Sequence, residues 1–172
     1  INSAGSGVSH AGIQIAKLAG ATVIATSSTP AKLAAAEDLG ADYTINYREE
    51  SVAARVREIT AGRGVDVVFD HVAAATWEDN MASLAPGGRL VICGTTGGSA
   101  VELDIAPFYF QVQSILGSTL GTIEELSHCL RLIAAGRLKV VVHKTFLLDD
   151  LADAHRYLED QNQFGKVVVE VA

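Results

Sequence analysis

Cysteine is scarce in these 172 residues, with Cys93 and Cys129 the only two. Their separation fits no metal or redox motif, so both read as apolar-like thiols suited to a reducing cytoplasm. Positive charge is short as well: 13 Lys and Arg stand against 20 Asp and Glu, a formal net charge of −7. That balance argues against nucleic acid or an anionic membrane as partner, although a small anion can still bind locally through backbone amides and a few cations. No apolar run reaches the ~18 residues that a membrane-crossing helix requires. No basic stretch followed by an apolar core opens the chain, so no secretory signal is expected and the cytoplasm is the expected location. The five histidines are scattered without an HExxH-like pair, and no zinc site is expected within this chain. Repeats and low-complexity tracts are also missing.

What is there is a core-forming sequence, 49% hydrophobic and 19% charged. Short β-branched runs at Thr22–Thr26, Tyr43–Asn46, Val65–Asp70, Arg89–Gly94 and Ser114–Ser118 alternate with stretches of helical period. In the first helix Val8, Ala11, Ile15, Leu18 and Ala19 form the expected core face. Thr29-Pro30 caps a second helix that Gly40 ends. Val52, Val56 and Ile59 mark a third, and Trp77, Met81 and Leu84 a fourth that Pro86-Gly87-Gly88 breaks. Thr122 and Glu125 form a capping box for a fifth, with Leu126, Leu130 and Ile133 on its core side. Apolar strands alternating with amphipathic helices predict an α/β fold, a mostly parallel sheet covered on both faces. Two features stand apart. Ile1-Asn2 precedes a glycine-rich turn directly, where a whole first strand would be expected. After Gly136 the pattern changes to strand (Val140–Leu147), short helix (Leu151–Leu158) and strand (Lys166–Val171). The expected division is therefore a nucleotide-binding part, residues 1–136, and a return segment, residues 137–172, that packs against something else.

The turn Ala4-Gly5-Ser6-Gly7-Val8-Ser9 joins the strand stub to the first helix. Glycine there lets backbone approach a pyrophosphate, whose charge meets free amides and the positive end of a helix. Ser6 stands at the second glycine of GxGxxG and Ser9 at the third, so the strand–turn–helix placement carries the reading more than the motif does. A site for NAD wants Asp or Glu about 20 residues after the turn to hold the ribose hydroxyls. Thr26-Ser27-Ser28-Thr29 stands there, with no acid until Glu37 and with Lys32 close by. Hydroxyls and a lysine suit a 2′-phosphate, which predicts NADP(H). The alternative is a polar turn and helix cap with no ligand.

Six stretches resemble the medium-chain dehydrogenase/reductase superfamily, especially its quinone oxidoreductase-like and alcohol dehydrogenase-like members. They are GSGVSHAGIQIAK (Gly5–Lys17), LGADYTINY (Leu39–Tyr47), GVDVVFD (Gly64–Asp70), APGGRLV (Ala85–Val91), GSTLG (Gly117–Gly121) and FGKVV (Phe164–Val168). The resemblance implies a Rossmann doubly wound parallel sheet of order 3-2-1-4-5-6, its first strand truncated here, and a GroES-like catalytic domain to which the return segment belongs. It implies that Ser6, Gly7 and Val8 face the pyrophosphate, with Val8 behind the nicotinamide, and that Ser27, Lys32 and Tyr47 surround the 2′-phosphate. His71 and Val72 after the fourth strand, and Gly94 and Thr95 after the fifth, match positions that hold ribose and nicotinamide. Ile115 and Leu116 match a backbone strip near the carboxamide, and Lys166 a basic residue near the phosphates. A smaller residue is expected where His71 stands. It could touch a ribose, take part in proton transfer, or be a surface histidine at a strand end.

The implied reaction moves hydride between the nicotinamide and a quinone, activated alkene, aldehyde or alcohol, with this chain supplying the cofactor side and turning over nothing alone. The contrasting reading is a non-catalytic dinucleotide-binding or interaction module. A short-chain dehydrogenase needs Tyr-x-x-x-Lys, and none of Tyr43, Tyr47, Tyr109 or Tyr157 has lysine four residues on. The strand Ser114–Ser118 is an apolar sheet edge, and in the family it pairs across a twofold axis, so a homodimer is expected.

Overall fold

Two groups of parallel strands flank the first four residues. In the computed structural model, which describes residues 1–160 and 163–171, β1 (Ile24–Ser27) and β2 (Tyr43–Asn46) form one parallel pair. The strands β3 (Val65–Asp70), β4 (Leu84–Ile92) and β5 (Ser114–Gly117) form a parallel triplet in that order. Residues 1–4 lie between the two groups. On one side the Ile1 nitrogen donates to Ile24 O (2.8 Å), Thr26 N to Ile1 O (3.0 Å) and Ala4 N to Thr26 O (2.8 Å). On the other, Asn2 N donates to Phe69 O (3.2 Å). The spatial sequence β2, β1, stub, β3, β4, β5 is the 3-2-1-4-5-6 order. The buried Asn2 side chain adds further bonds. Its amide nitrogen donates to Asp70 Oδ1 (3.0 Å) and Asn80 Oδ1 (2.7 Å), and its oxygen accepts from Thr26 Oγ1 (3.3 Å).

Alternation along β1 sends successive side chains to opposite faces. Ala25 joins Ile13, Val23 and Ala36 under α1 (Gly7–Leu18) and α2 (Pro30–Asp38), while Ile24 joins Ile45 and Val56 under α3 (Val52–Ile59). Val68, Leu84 and Leu90 pack with Trp77 of α4 (Trp77–Ser83). Ile13, Ile45, Leu84 and Leu90 are fully buried, each contributing about 1.5–3 kcal/mol of burial.

Several expectations change. The buried face of α1 is Ser9, His10, Ile13 and Gln14, and Val8, Ala11, Ile15, Leu18 and Ala19 are exposed. The helix crosses the stub so closely that Ser9 reaches the Asn2 carbonyl (2.6 Å), and Gln14 exchanges hydrogen bonds with both backbone groups of Lys139 (2.7 and 3.1 Å). Polar contacts select that face. Pro86-Gly87-Gly88 does not separate helix from strand: β4 begins at Leu84, and residues 85–88 bulge out opposite Asp66, between the pairs Val65–Leu84 and Val67–Arg89. A Cβ on Gly64 would meet Ser83 O at 2.6 Å, so glycine is required where the bulge closes. A helix absent from the sequence reading, α5 (Ile105–Phe110), is capped by Asp104 accepting from Ala106 N (3.0 Å).

The helix α6 (Ile123–Ala134) has its capping box, but Leu126, Leu130 and Ile133 are exposed and no element of the described chain covers them. The return segment forms its own parallel pair, β6 (Val142–Leu147) and β7 (Lys166–Glu170), joined through α7 (Leu151–Glu159). Residues 161, 162 and 172 of that expected segment lie outside the described residues.

Candidate functional site

The glycine turn is shaped by Ser3 at φ 51° and a hydrogen bond from Ser6 N to Ser3 O (2.9 Å). Ser6 then caps α1, its hydroxyl accepting from Ser9 N (3.0 Å). The first turn of α1 carries no acid, so the partial positive charge of the helix end is not neutralised within the helix. Two lysines lie over this turn. A Cβ on Gly7 would meet Lys166 Cε at 2.4 Å, and one on Gly5 would meet Lys32 Cδ at 3.1 Å. Lys166 is brought there by β7, because Gly165 bridges to Ser6 and donates to Gly5 O (2.9 Å). His10, behind the turn, is buried against Phe164 with ring centroids 3.8 Å apart, and its Nε2 has no hydrogen-bond partner among the described residues. Burial pushes its pKa down to about 4, against a hydrogen bond to the Ala4 backbone that raises it.

His71 is not a surface histidine. It is buried at the end of β3, with Nε2 2.9 Å from Ser6 Oγ and 3.1 Å from Ser9 Oγ. Both serines that replace the motif's glycines are thus tied to one ring, and burial lowers the His71 pKa more than neighbouring Asp70 raises it. Asp70 itself is fully buried and accepts from Val72 N (3.0 Å), Ala73 N (2.8 Å) and Thr76 Oγ1 (3.2 Å). Those bonds hold Ala73 at φ 68° and ψ −108°, a region that disfavours any side chain.

At the end of β1 opens a cavity of about 490 Å³, lined by Ser28, Thr29, Lys32, Arg48, His143 and Asp160 among others. Burial, then the nearby Arg48 charge, lowers the Lys32 pKa. Ser27 is buried and Tyr47 exposed, and neither lines the cavity. Their neighbours Ser28 and Arg48 do. Arg48, which sequence reasoning did not single out, lines the cavity from two residues past the strand Tyr43–Asn46, a cation that could have marked it.

The loops after β3 and β4 meet. A Cβ on Gly94 would lie 2.9 Å from His71 O, Thr96 N donates to His71 O (3.2 Å) and Gly97 N to Val72 O (2.8 Å). Gly94 therefore adjoins His71, while Thr95 is exposed. Val8 is exposed on the first turn of α1. Ile115 turns its side chain into the core beside Leu90 and Leu116 is exposed. Among the described residues no three of His, Cys, Asp or Glu converge in a way that could hold a metal ion, and none of their helices is long and apolar enough to cross a membrane.

Residues 7–135 match the zinc-binding dehydrogenase family. The chain is 36% identical to a 2-haloacrylate reductase of a Burkholderia species, covering 98% of this chain and 54% of that protein. It is 32% identical to a quinone oxidoreductase of Pseudomonas aeruginosa, with the same coverage, 98% and 54%. Among solved structures, one described as an NAD-dependent alcohol dehydrogenase superposes with a TM-score of 0.94 at 44% identity, over 99% of this chain and 50% of its own. The Escherichia coli quinone oxidoreductase complexed with NADPH gives 0.84 at 32% identity, over 98% and 56%. The chain spans about half the length of the curated relatives it matches.

Proposed function

Since the chain belongs to the zinc-binding dehydrogenase family, we propose that it is the cofactor-binding portion of a cytoplasmic oxidoreductase and that its cofactor is NADP(H). The relatives divide, one described as NAD-dependent and another as a complex with NADPH, so the choice rests on this chain's own side chains. The observation that carries it is the cavity at the end of β1, where Lys32 and Arg48 stand with the Ser28 and Thr29 hydroxyls. An NAD site would place an acid at that strand end. Here the cavity's carboxylate is Asp160, from the return segment.

In this reading the Gly7 and Val8 amides, the α1 end and Lys166 meet the pyrophosphate. Lys32, Arg48, Ser28 and Thr29 take the 2′-phosphate, beside Ser27 and Tyr47 at the ends of β1 and β2. The loops at His71–Val72 and Gly94–Thr95, with the β5 backbone at Ile115 and Leu116, border the nicotinamide riboside. The bound dinucleotide supplies hydride at C4 of its nicotinamide, and the substrate is a quinone, activated alkene, aldehyde or alcohol. The open edge of β5 pairs with a second copy, and a monomeric sedimentation profile at micromolar concentration would contradict that. The cofactor test is a titration of the chain with NADPH and NADH. Lys32→Ala and Arg48→Ala are each expected to weaken NADPH about tenfold and leave NADH unchanged, as loss of one charge-assisted contact implies. Equal losses for both dinucleotides would sink the 2′-phosphate assignment.

A further inference from the structure

The two serines of the turn and the histidine after β3 form one unit whose protons can be counted. The Ser9 hydroxyl lies 2.6 Å from the Asn2 carbonyl oxygen, which can only accept, so the single Ser9 proton is committed there. Toward His71 Nε2, 3.1 Å away, Ser9 Oγ can therefore only accept. Ser6 Oγ, 2.9 Å from the same nitrogen, already accepts the Ser9 amide at 3.0 Å and retains one lone pair and one proton. A bare Nε2 would set its lone pair against that of Ser9 in a buried place. A protonated Nε2 makes both contacts attractive. The Ser6 proton is then left for Ser9 Oγ at 3.1 Å or for an arriving anion.

We infer that His71 is a positioning residue for the turn: its neutral Nε2–H tautomer ties Ser6 and Ser9 to the loop after β3 and leaves the Ser6 hydroxyl to donate to a phosphate oxygen of the dinucleotide. The tie stands on the geometry alone, and the phosphate contact rests on the function proposed above. Glycines at these two positions would allow close approach without a side chain. Here the same approach is held by hydrogen bonds, and the turn gains a donor that glycine lacks.

The first test is long-range proton–nitrogen NMR of the chain with ¹⁵N-labelled histidine near neutral pH. His71 is expected to show the Nε2–H pattern, and the Nδ1–H pattern overturns the tie. The second is binding of ADP-ribose 2′-phosphate, with thermal melts confirming that each variant folds. His71→Leu is expected to weaken binding about tenfold, while His71→Gln, which keeps a donor near the Nε2 position, stays within about twofold. In a Ser6→Gly, Ser9→Gly background His71→Leu should have no further effect. Equal loss in the Gln and Leu variants, or full additivity in the glycine background, overturns the positioning role. If the unaltered chain does not bind the probe, the phosphate contact and the proposed function fail together, and the tautomer still decides the tie.

Discussion

Residues 1–98 and residues 99–171 carry the same kind of amphipathic pattern and reach opposite ends of burial. Among the described residues, every buried apolar side chain except Leu138 and Ala154 lies in the first region. In the second, α6 begins with a complete capping box, Thr122 with Glu125, and yet its Leu126 and Leu130 are 59% and 55% exposed. A cap is a local event that needs only the helix itself, whereas burial needs a facing surface. Periodicity therefore shows where a side chain is built to face, and says nothing of whether the surface it faces belongs to the same chain.

The largest expected difference follows from that contrast. Leu90→Ala empties a fully buried position in β4 and should cost about 2–5 kcal/mol. Leu130→Ala on α6 should change stability by less than about 0.5 kcal/mol. Urea unfolding with unchanged slope checks both. Comparable losses would mean that α6 packs onto this chain's own core in solution.

A second effect is expected from acid. His10 sits at the seam between the regions, against Phe164, with its pKa near 4 in the fold and near 6.5 when unfolded. A depressed histidine pKa means the unfolded chain takes up the proton first. Stability should then fall as pH drops from about 6.5 to about 4 and level off below, by about 3 kcal/mol. His71 acts in the same direction, its pKa being lowered by burial. His10→Gln removes the first contribution, so subtracting its pH profile from that of the unaltered chain isolates the effect. A difference that does not vary with pH would show that His10 is solvated in solution.

How much of this was legible beforehand depended on the range of the interaction. Strand and helix order came from alternation and from local signals such as Thr29-Pro30 and Thr122 with Glu125. The strand order came from the resemblance, and the stub's two-sided hydrogen bonding accounts for it. The face of α1 was misread because Val8, Ile15 and Leu18 looked like a core, while the contacts that orient the helix are polar and distant in sequence: Ser9 to Asn2, Gln14 to Lys139. Lys32 and Lys166, both singled out from the sequence, lie over the turn. Ser27 and Tyr47 do not line the cavity at the end of β1, whereas their neighbours Ser28 and Arg48 do. β1 ends at Ser27 and β2 at Asn46, so Ser28 and Arg48 lie beyond the alternation that a strand imposes on its side chains. His71 was singled out, but its pairing with Ser6 and Ser9 spans more than 60 positions, a separation at which a single sequence carries no signal.

A smaller effect sits inside the well-packed region. Ala73 is held at φ 68° by Asp70, and Ala73→Gly should relieve this strain by more than it adds to the freedom of the unfolded chain. The expected gain is about 1 kcal/mol, or roughly 3 °C in melting temperature. An unchanged melt would mean that the loop after β3 relaxes in solution, and that the first region is less rigid than its burial suggests.

The smallest expected effect is the place where the two regions should stop differing. Arg63–Asp66 in the first and Arg156–Asp153 in the second are both pairs three residues apart, with side chains 58% and 72% exposed in one and 67% and 59% in the other. Exposed pairs of this kind are screened by salt and lose side-chain freedom when they form. Arg63→Gln and Arg156→Gln should therefore leave the urea midpoint where it was, at low salt and high salt alike. A loss confined to Arg156→Gln and abolished by salt would reverse the argument for that region. It would mean that α7, with little core beneath it, is held by charge, and that residues 99–171 follow a different balance of forces from residues 1–98.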